Sequence, residues 1–215
     1  MNYRLAFRQI CPVCGAFARL PGGPGSGTTC SRCWQELWHA FRIIRLQDIA
    51  LSDSGATVPV WALSSYEGIV RQALRAFKYQ GRRGMAEIFA ELIRSAMEPG
   101  AALAHLREQP LVPVPATPRG RRRRGFDQMD LIGRLVTSDM HRALVHRRGT
   151  QQKLLDRSER LQNAGHLFRL HGTAPPGFTL MDDVLTTGAT LVAASRLLDA
   201  AGTPPSAVVA LTTRR

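Results

Sequence analysis

The sequence predicts an α/β fold, a mostly parallel sheet flanked by helices, preceded by a small four-cysteine module. Three observations carry that prediction. Strand-length apolar runs alternate with helical patterns along the carboxyl-terminal half of the chain. One segment, Phe178 to Thr190, reads as an apolar strand that ends in Asp182 and Asp183, passes through a short loop, and opens a helix from about Leu191 to Ala201. All four cysteines fall within the first 33 residues. The 215 residues suffice for one ordinary domain and a small module. The expected division is a finger with its docking helix over 1–46 and the α/β domain over 58–215, with a linker over 47–57.

The cysteines come first. Cys11-x₂-Cys14 and Cys30-x₂-Cys33 are separated by fifteen residues. Two such knuckles make a tetrahedral S₄ site for Zn²⁺, each presenting two thiolates from one tight turn. Gly15 follows the first knuckle, where a turn often needs positive φ. The Gly- and Pro-rich stretch from Leu20 to Gly27 cannot form a core, and closure by a metal tolerates it. Four sulfur ligands leave no open position, so the zinc is expected to be structural. Disulfides are disfavoured in a cytosolic protein, and a redox dithiol needs one Cys-x-x-Cys beside a βαβ unit rather than two.

Trp34, Leu37, Trp38, Phe41 and Ile44 recur at helical spacing, which predicts a docking helix to about Leu46. Val58 to Leu63 predicts a strand, and Pro59 argues for a sheet edge. Tyr66 to Phe77 is amphipathic, with Ile69, Val70, Ala73, Leu74 and Phe77 on one side, and Met85 to Met97 predicts a second helix. Leu111 to Pro115 predicts a strand that stops in a proline-rigid turn, followed by an arginine-rich loop and a helix to about Thr137. Ala143 to His146 and His166 to Leu170 predict strands around a short helix over Ser158 to Ala164, and Ala207 to Leu211 closes the sheet. His146 is expected only to pack. The loop after Asp183 should lie at the carboxyl ends of the strands, where ligands of such sheets bind.

The chemistry of that loop suits a sugar phosphate. Amides at the start of a helix lack intrahelical partners and favour an anion. Gly188 lets the backbone approach a phosphate, and Thr186, Thr187 and Thr190 add hydroxyl donors around Ala189. Asp182 and Asp183 suit vicinal ribose hydroxyls or a hydrated Mg²⁺. A plainer reading has Asp183 or Thr186 only capping the helix. The segment resembles the phosphoribosyl pyrophosphate (PRPP) signature of type I phosphoribosyltransferases. The resemblance implies that the acids hold the ribose, the loop holds its 5′-phosphate, and the turn Pro115, Ala116, Thr117 cradles the pyrophosphate. It also implies a mobile loop closing over the pyrophosphate, a role open to Arg119, Arg121, Arg122, Arg123 and Arg124.

The formal net charge is +13, from 29 Lys+Arg against 16 Asp+Glu, and Lys78 and Lys153 are the only lysines. This balance points to a polyanionic partner. Guanidinium groups bind phosphate bidentately and stack on bases, so the arginine run also fits single-stranded DNA. The amino terminus lacks an apolar signal core and no run reaches membrane-spanning length, so a cytoplasmic protein with reduced thiols and no membrane insertion is expected.

Five blocks in order are similar to the ComF family of bacterial competence-related proteins. They are the cysteine knuckles; Tyr66-Glu-Gly with Phe77-Lys-Tyr79; Val112-Pro-Val-Pro115 with Arg124-Gly-Phe-Asp-Gln128; Gln151 to Arg160 with Asn163 to Phe168; and the PRPP-like segment. The resemblance implies a type I phosphoribosyltransferase-like fold fused to a Cys₄ finger, with a part in DNA uptake alongside other uptake proteins. Asp127 stands where the family usually carries Asn, a change expected to weaken any phosphate contact there. Three readings stay open: a PRPP- or nucleoside monophosphate-binding protein that also binds single-stranded DNA; a phosphoribosyltransferase of unknown acceptor, using Mg²⁺; and a non-catalytic sensor. A base-recognition element is not legible, since position 186 is Thr and the chain ends soon after its last strand, so no catalytic residue is assigned.

Overall fold

The computed structural model describes residues 9–18, 29–51, 56–147 and 167–214. The predicted helix over Ser158 to Ala164, the block from Gln151 to Arg160 and the Leu20 to Gly27 stretch lie outside the described residues.

The chain opens with a small antiparallel pair, β1 (Gln9–Ile10) and β2 (Phe17–Ala18). The turn between them carries Cys11 and Cys14, and Gly15 takes φ 78°, as the knuckle requires. Helix α1 (Ser31–Ala40) starts directly after Cys30 and turns Cys33 and Leu37 inward. It then stops. The predicted continuation to Leu46 is instead β3 (Phe41–Ala50), a strand that also takes in the start of the expected linker. Phe41 at the helix end is extended, and Ile43, Ile44 and Ile49 are β-branched, so pairing with the next strand outweighs the helical spacing.

That next strand, β4 (Thr57–Ser64), is not at an edge: it pairs antiparallel with β3 and parallel with the last strand. Pro59 is tolerated because the β3–β4 register shifts between Leu46 and Ile49, leaving a bulge opposite it. Helices α2 (Gly68–Tyr79) and α3 (Met85–Ala96) follow as expected. Next come β5 (Leu111–Pro113), α4 (Pro118–Arg124), α5 (Gln128–Val136), and the antiparallel pair β6 (Leu144–His146) and β7 (Phe168–Leu170). The chain finishes with β8 (Thr179–Leu185), α6 (Ala189–Ala200) and β9 (Ala207–Thr213).

The main sheet has five strands in the order β3-β4-β9-β8-β5, all parallel except β3. Strand β9, expected to close the sheet, is its middle strand, and all seven of its residues are buried. Such a run, apolar on both faces, is what a central parallel strand needs. The alternation of side chains divides the core in two. Leu63, Met181, Val209 and Leu211 pack under α2, α3 and α5, with Phe77 and Phe89 fully buried and their rings 5.9 Å apart. Val112, Leu180, Val208 and Ala210 pack on the other face under Leu191, Ala194 and Leu198 of α6. This is a mixed α/β fold with a mostly parallel sheet between helices, joined to a four-cysteine cluster at its amino terminus. The finger belongs to the first core: Cys11, Cys33 and Leu37 join the α2 cluster. Arg82 donates to the Cys11 carbonyl at 3.0 Å and Gln72 to the Val13 carbonyl at 3.1 Å.

Candidate functional site

Parallel strands end together, and here the ends of β5 and β8 bring two segments to one side of the sheet. Strand β5 pairs with β8 only as far as Pro113 opposite Met181. Asp182 and Asp183 therefore continue past the end of β5, beside the turn over Pro115, Ala116 and Thr117. Asp183 faces α2, where Lys78 meets it.

Lys78, near the end of α2, reaches Asp183 at 2.8 Å, and each side chain is only 18% exposed. The Asp183 N–H donates to the Asp182 carboxylate at 2.8 Å. Burial lifts Asp182 first, and the neighbouring Asp183 charge second. The Asp183 N–H and Lys78 pull the other way, and the result is about 7. The acid pair thus carries less than its full charge near neutrality.

After Leu185 the chain passes Thr186 and Thr187, both exposed, and reaches Gly188 at φ 80°. Gly188 is the N-cap of α6; Thr187 Oγ1 accepts from the Ala189 N–H at 3.4 Å, and neither Asp183 nor Thr186 caps the helix. Intrahelical bonding begins with the Val192 N–H donating to the Gly188 carbonyl at 2.9 Å. The amides of Ala189 and Thr190 precede it, at the positive end of a twelve-residue helix. A Cβ at Gly188 would meet nothing within 4 Å, so a substitution there is opposed by backbone strain rather than by crowding.

The turn after β5 is held from three directions. The Asp127 carboxylate accepts from the Ala116 N–H at 2.7 Å and from the Asp130 N–H at 3.4 Å, so it joins the turn to the start of α5. His146 Nε2 donates to the Pro115 carbonyl at 3.1 Å and its ring lies 4.7 Å from Phe168. Burial pushes the His146 imidazole below its ordinary value. Thr117 caps α4, accepting from the Gly120 N–H at 3.1 Å. The arginine run is therefore not a loop. Thr117 and Pro118 start a short helix, Gly125 at φ 78° ends it, and Arg119, Arg121, Arg122 and Arg123 project from it exposed. Arg124 turns inward. Burial pulls its guanidinium below the ordinary value, against the attraction of Asp183 and Asp127. Its Nε, and Nε2 of Gln128 at the start of α5, are buried without a hydrogen-bond partner among the described residues. Unpaired buried donors of this kind suit an incoming anion.

At the other end of the first core, the Sγ atoms of Cys11, Cys14, Cys30 and Cys33 lie within 4.8 Å of one another, and Cys14 and Cys30 are 3.9 Å apart. A tetrahedral Zn–S₄ site needs sulfurs about 3.8 Å apart, given bonds of about 2.3 Å. All four cysteines are free thiols. Burial raises Cys33 and Cys30, whereas at Cys11 burial is more than offset by the backbone N–H groups of Cys14, Cys30 and Val13, which bring it to about 7. A cluster that resists full ionisation on its own is one that a divalent cation stabilises.

Two curated proteins resemble this chain. Competence protein ComFC of Bacillus subtilis (strain 168) is 27% identical over 193 residues, covering 88% of this chain and 71% of that protein. The chain is similar in sequence to two ComFC competence proteins. The ComFC protein of Streptococcus pneumoniae (strain ATCC BAA-255 / R6) is 26% identical over 149 residues, 69% of this chain and 65% of that protein. No family model matches the chain. Relative to the ComF-like blocks read in the sequence, the structure adds partners that spacing alone does not mark. Lys78 belongs to a matched block, yet its ion pair with Asp183 spans 105 residues and has no local signal. His146, expected only to pack, also holds the Pro115 carbonyl. The rest of the chain holds a separate cleft of about 760 Å³ lined by Arg134, Met140, His141, Arg142 and His171. It lies near Leu111, at the opposite ends of the strands, and Arg142 there is occupied by Asp130.

Proposed function

We propose that this chain binds PRPP or a nucleoside monophosphate at the carboxyl ends of β5 and β8, and that its arginine face carries single-stranded DNA, with a competence-related role in DNA uptake. The single observation behind the first part is the meeting, on one side of the sheet, of the acid pair, the α6 amides and the 115–117 turn, with Lys78 and Arg124 between them. In this reading Asp182 and Asp183 take the ribose hydroxyls, residues 186–190 take the 5′-phosphate, and the 115–117 turn with Arg124 takes the pyrophosphate. Mg²⁺, when bound with PRPP, neutralises the pyrophosphate. Zinc on the four cysteines is structural. The role in uptake comes from the similarity to proteins named for competence.

Calorimetry with Mg²⁺–PRPP tests the site. Asp183→Ala loses the ribose acceptor and leaves Lys78 unpaired, so affinity should fall by about tenfold or more. Equal affinity in wild type and variant would reject the site. The sensing and transferase readings use the same pocket. Pyrophosphate release from PRPP over a panel of nitrogen acceptors separates them: release with any acceptor makes the chain an enzyme.

A further inference from the structure

Among the described residues Tyr79 is the most exposed large hydrophobic or aromatic side chain, at 59%. It is the last residue of α2 and directly follows Lys78, which turns inward to Asp183. Arg123 of α4 lies over the Tyr79 ring at 5.0 Å from its centroid, and Arg75, one turn back on α2, at 6.0 Å. Among the described residues no carboxylate pairs with Arg75, Arg119, Arg121, Arg122 or Arg123. An exposed aromatic ring among unneutralised guanidinium groups is suited to a ligand that is both flat and anionic.

We propose that Tyr79 is a stacking platform for a nucleobase of single-stranded DNA, with Arg75 and Arg123 taking the phosphates that flank the stacked base. This rests on the reading that the chain binds single-stranded DNA, and it says where and how. Charge alone does not select a single strand, because a duplex carries its phosphates more densely. The ring supplies the selection, since only unpaired bases offer a free face. A stacked base is worth more than an exposed guanidinium over the same ring. The base therefore displaces the guanidinium, which moves to the adjacent phosphate and makes forked contacts. A free base could use the same ring, but it would leave the row of unpaired arginines unanswered. A polymer of phosphates answers it.

The test is fluorescence titration of a short single strand carrying one central 2-aminopurine, against wild type, Tyr79→Ala, Tyr79→Phe and the double variant Arg75→Gln/Arg123→Gln. Wild type should bind the strand more tightly than its duplex and quench the probe. Tyr79→Ala should lose about tenfold in affinity, the quenching and the preference over duplex, and keep the salt dependence. Tyr79→Phe should behave as wild type. The double arginine variant should flatten the salt slope by roughly 0.7 for each phosphate it no longer neutralises. Quenching and affinity unchanged in Tyr79→Ala, with wild type binding the strand, overturn the platform while leaving DNA binding standing. Equal losses in Tyr79→Phe and Tyr79→Ala overturn stacking in favour of a hydroxyl contact. Full competition by free adenine overturns the polymer as the occupant. No binding of single strands by wild type removes the DNA reading itself, and the platform with it.

Discussion

The cysteine cluster and the acid pair both crowd groups of like charge, and the chain treats the two differently. At the acids it supplies its own cation: Lys78 crosses 105 residues of sequence to meet Asp183 at 2.8 Å, and Arg124 adds its field. At the cysteines the sulfurs face one another within 4.8 Å, and burial pushes Cys30 and Cys33 against ionising. The difference separates two kinds of site. On the zinc reading proposed above, the knuckles take an outside cation, and their order is then coupled to metal binding. The acid site is neutralised from within, so a ligand arriving there exchanges partners rather than building structure.

The comparison breaks most visibly at the finger. Cys33→Ser removes one of the four clustered thiols and a buried residue of α1. The finger should lose its order, as small zinc modules do when they lose a metal that contributes about 10–16 kcal/mol. Trp34 and Trp38, 5.7 Å apart on α1, report this by fluorescence. The parallel sheet should still melt cooperatively, because both of its cores are built mainly from other elements. Loss of the sheet together with the finger would contradict the separation.

A smaller effect is expected at the acids, and it has a pH signature. Lys78→Met strands a partly buried carboxylate and should cost about 1–3 kcal/mol at pH 8. Lys78 also favours the charged form of Asp182, and that part of the cost should shrink toward pH 5. The folded value of Asp182, about 7, lies above the ordinary 3.8, so between those values the folded chain holds more protons than the unfolded one. Stability therefore falls as pH rises through that window and levels off above it. Asp182→Asn should remove this slope. Denaturant unfolding from pH 4 to 8 measures it, and an unchanged slope would mean that Asp182 is not held as described.

The smallest effect sharpens the picture of the turn. Asp127 accepts from two backbone N–H groups, of which Asn can serve only one with its single oxygen. Asp127→Asn should cost about 0.5–1.5 kcal/mol in thermal unfolding. It should also bind Mg²⁺–PRPP several-fold more tightly, because a negative charge leaves the phosphate turn. Weaker binding would make the carboxylate a needed brace rather than a competitor for the Ala116 N–H.

What the sequence revealed follows the same division. The knuckles and the acid–loop–helix unit are local: spacing marks Cys11, Cys14, Cys30 and Cys33 as a cluster, and the run from Asp182 to Thr190 reads as the end of a strand, a loop and a helix start. Lys78, Arg124 and His146 acquire their roles only when distant elements meet, and no window of sequence contains both partners. The helix expected to run to Leu46 failed for a related reason. Phe41 and Ile44 fit a helical stripe, but β4 offers this ten-residue stretch, with its three isoleucines, a sheet partner, which local periodicity cannot weigh. The arginine run misled in the opposite sense. Its start at Thr117-Pro118 and stop at Gly125 are helix signals, and the density of like charge drew attention away from them.

The central claim is that the α6 amides and the turn after β5 bind one ligand between them. Amide chemical shifts followed during a Mg²⁺–PRPP titration test it directly. The account predicts that Ala116 and Thr117 move together with Thr187 through Leu191, on one binding curve, and that Asp183→Ala weakens both sets equally. Movement of one set alone, or of neither at saturating PRPP, would contradict it.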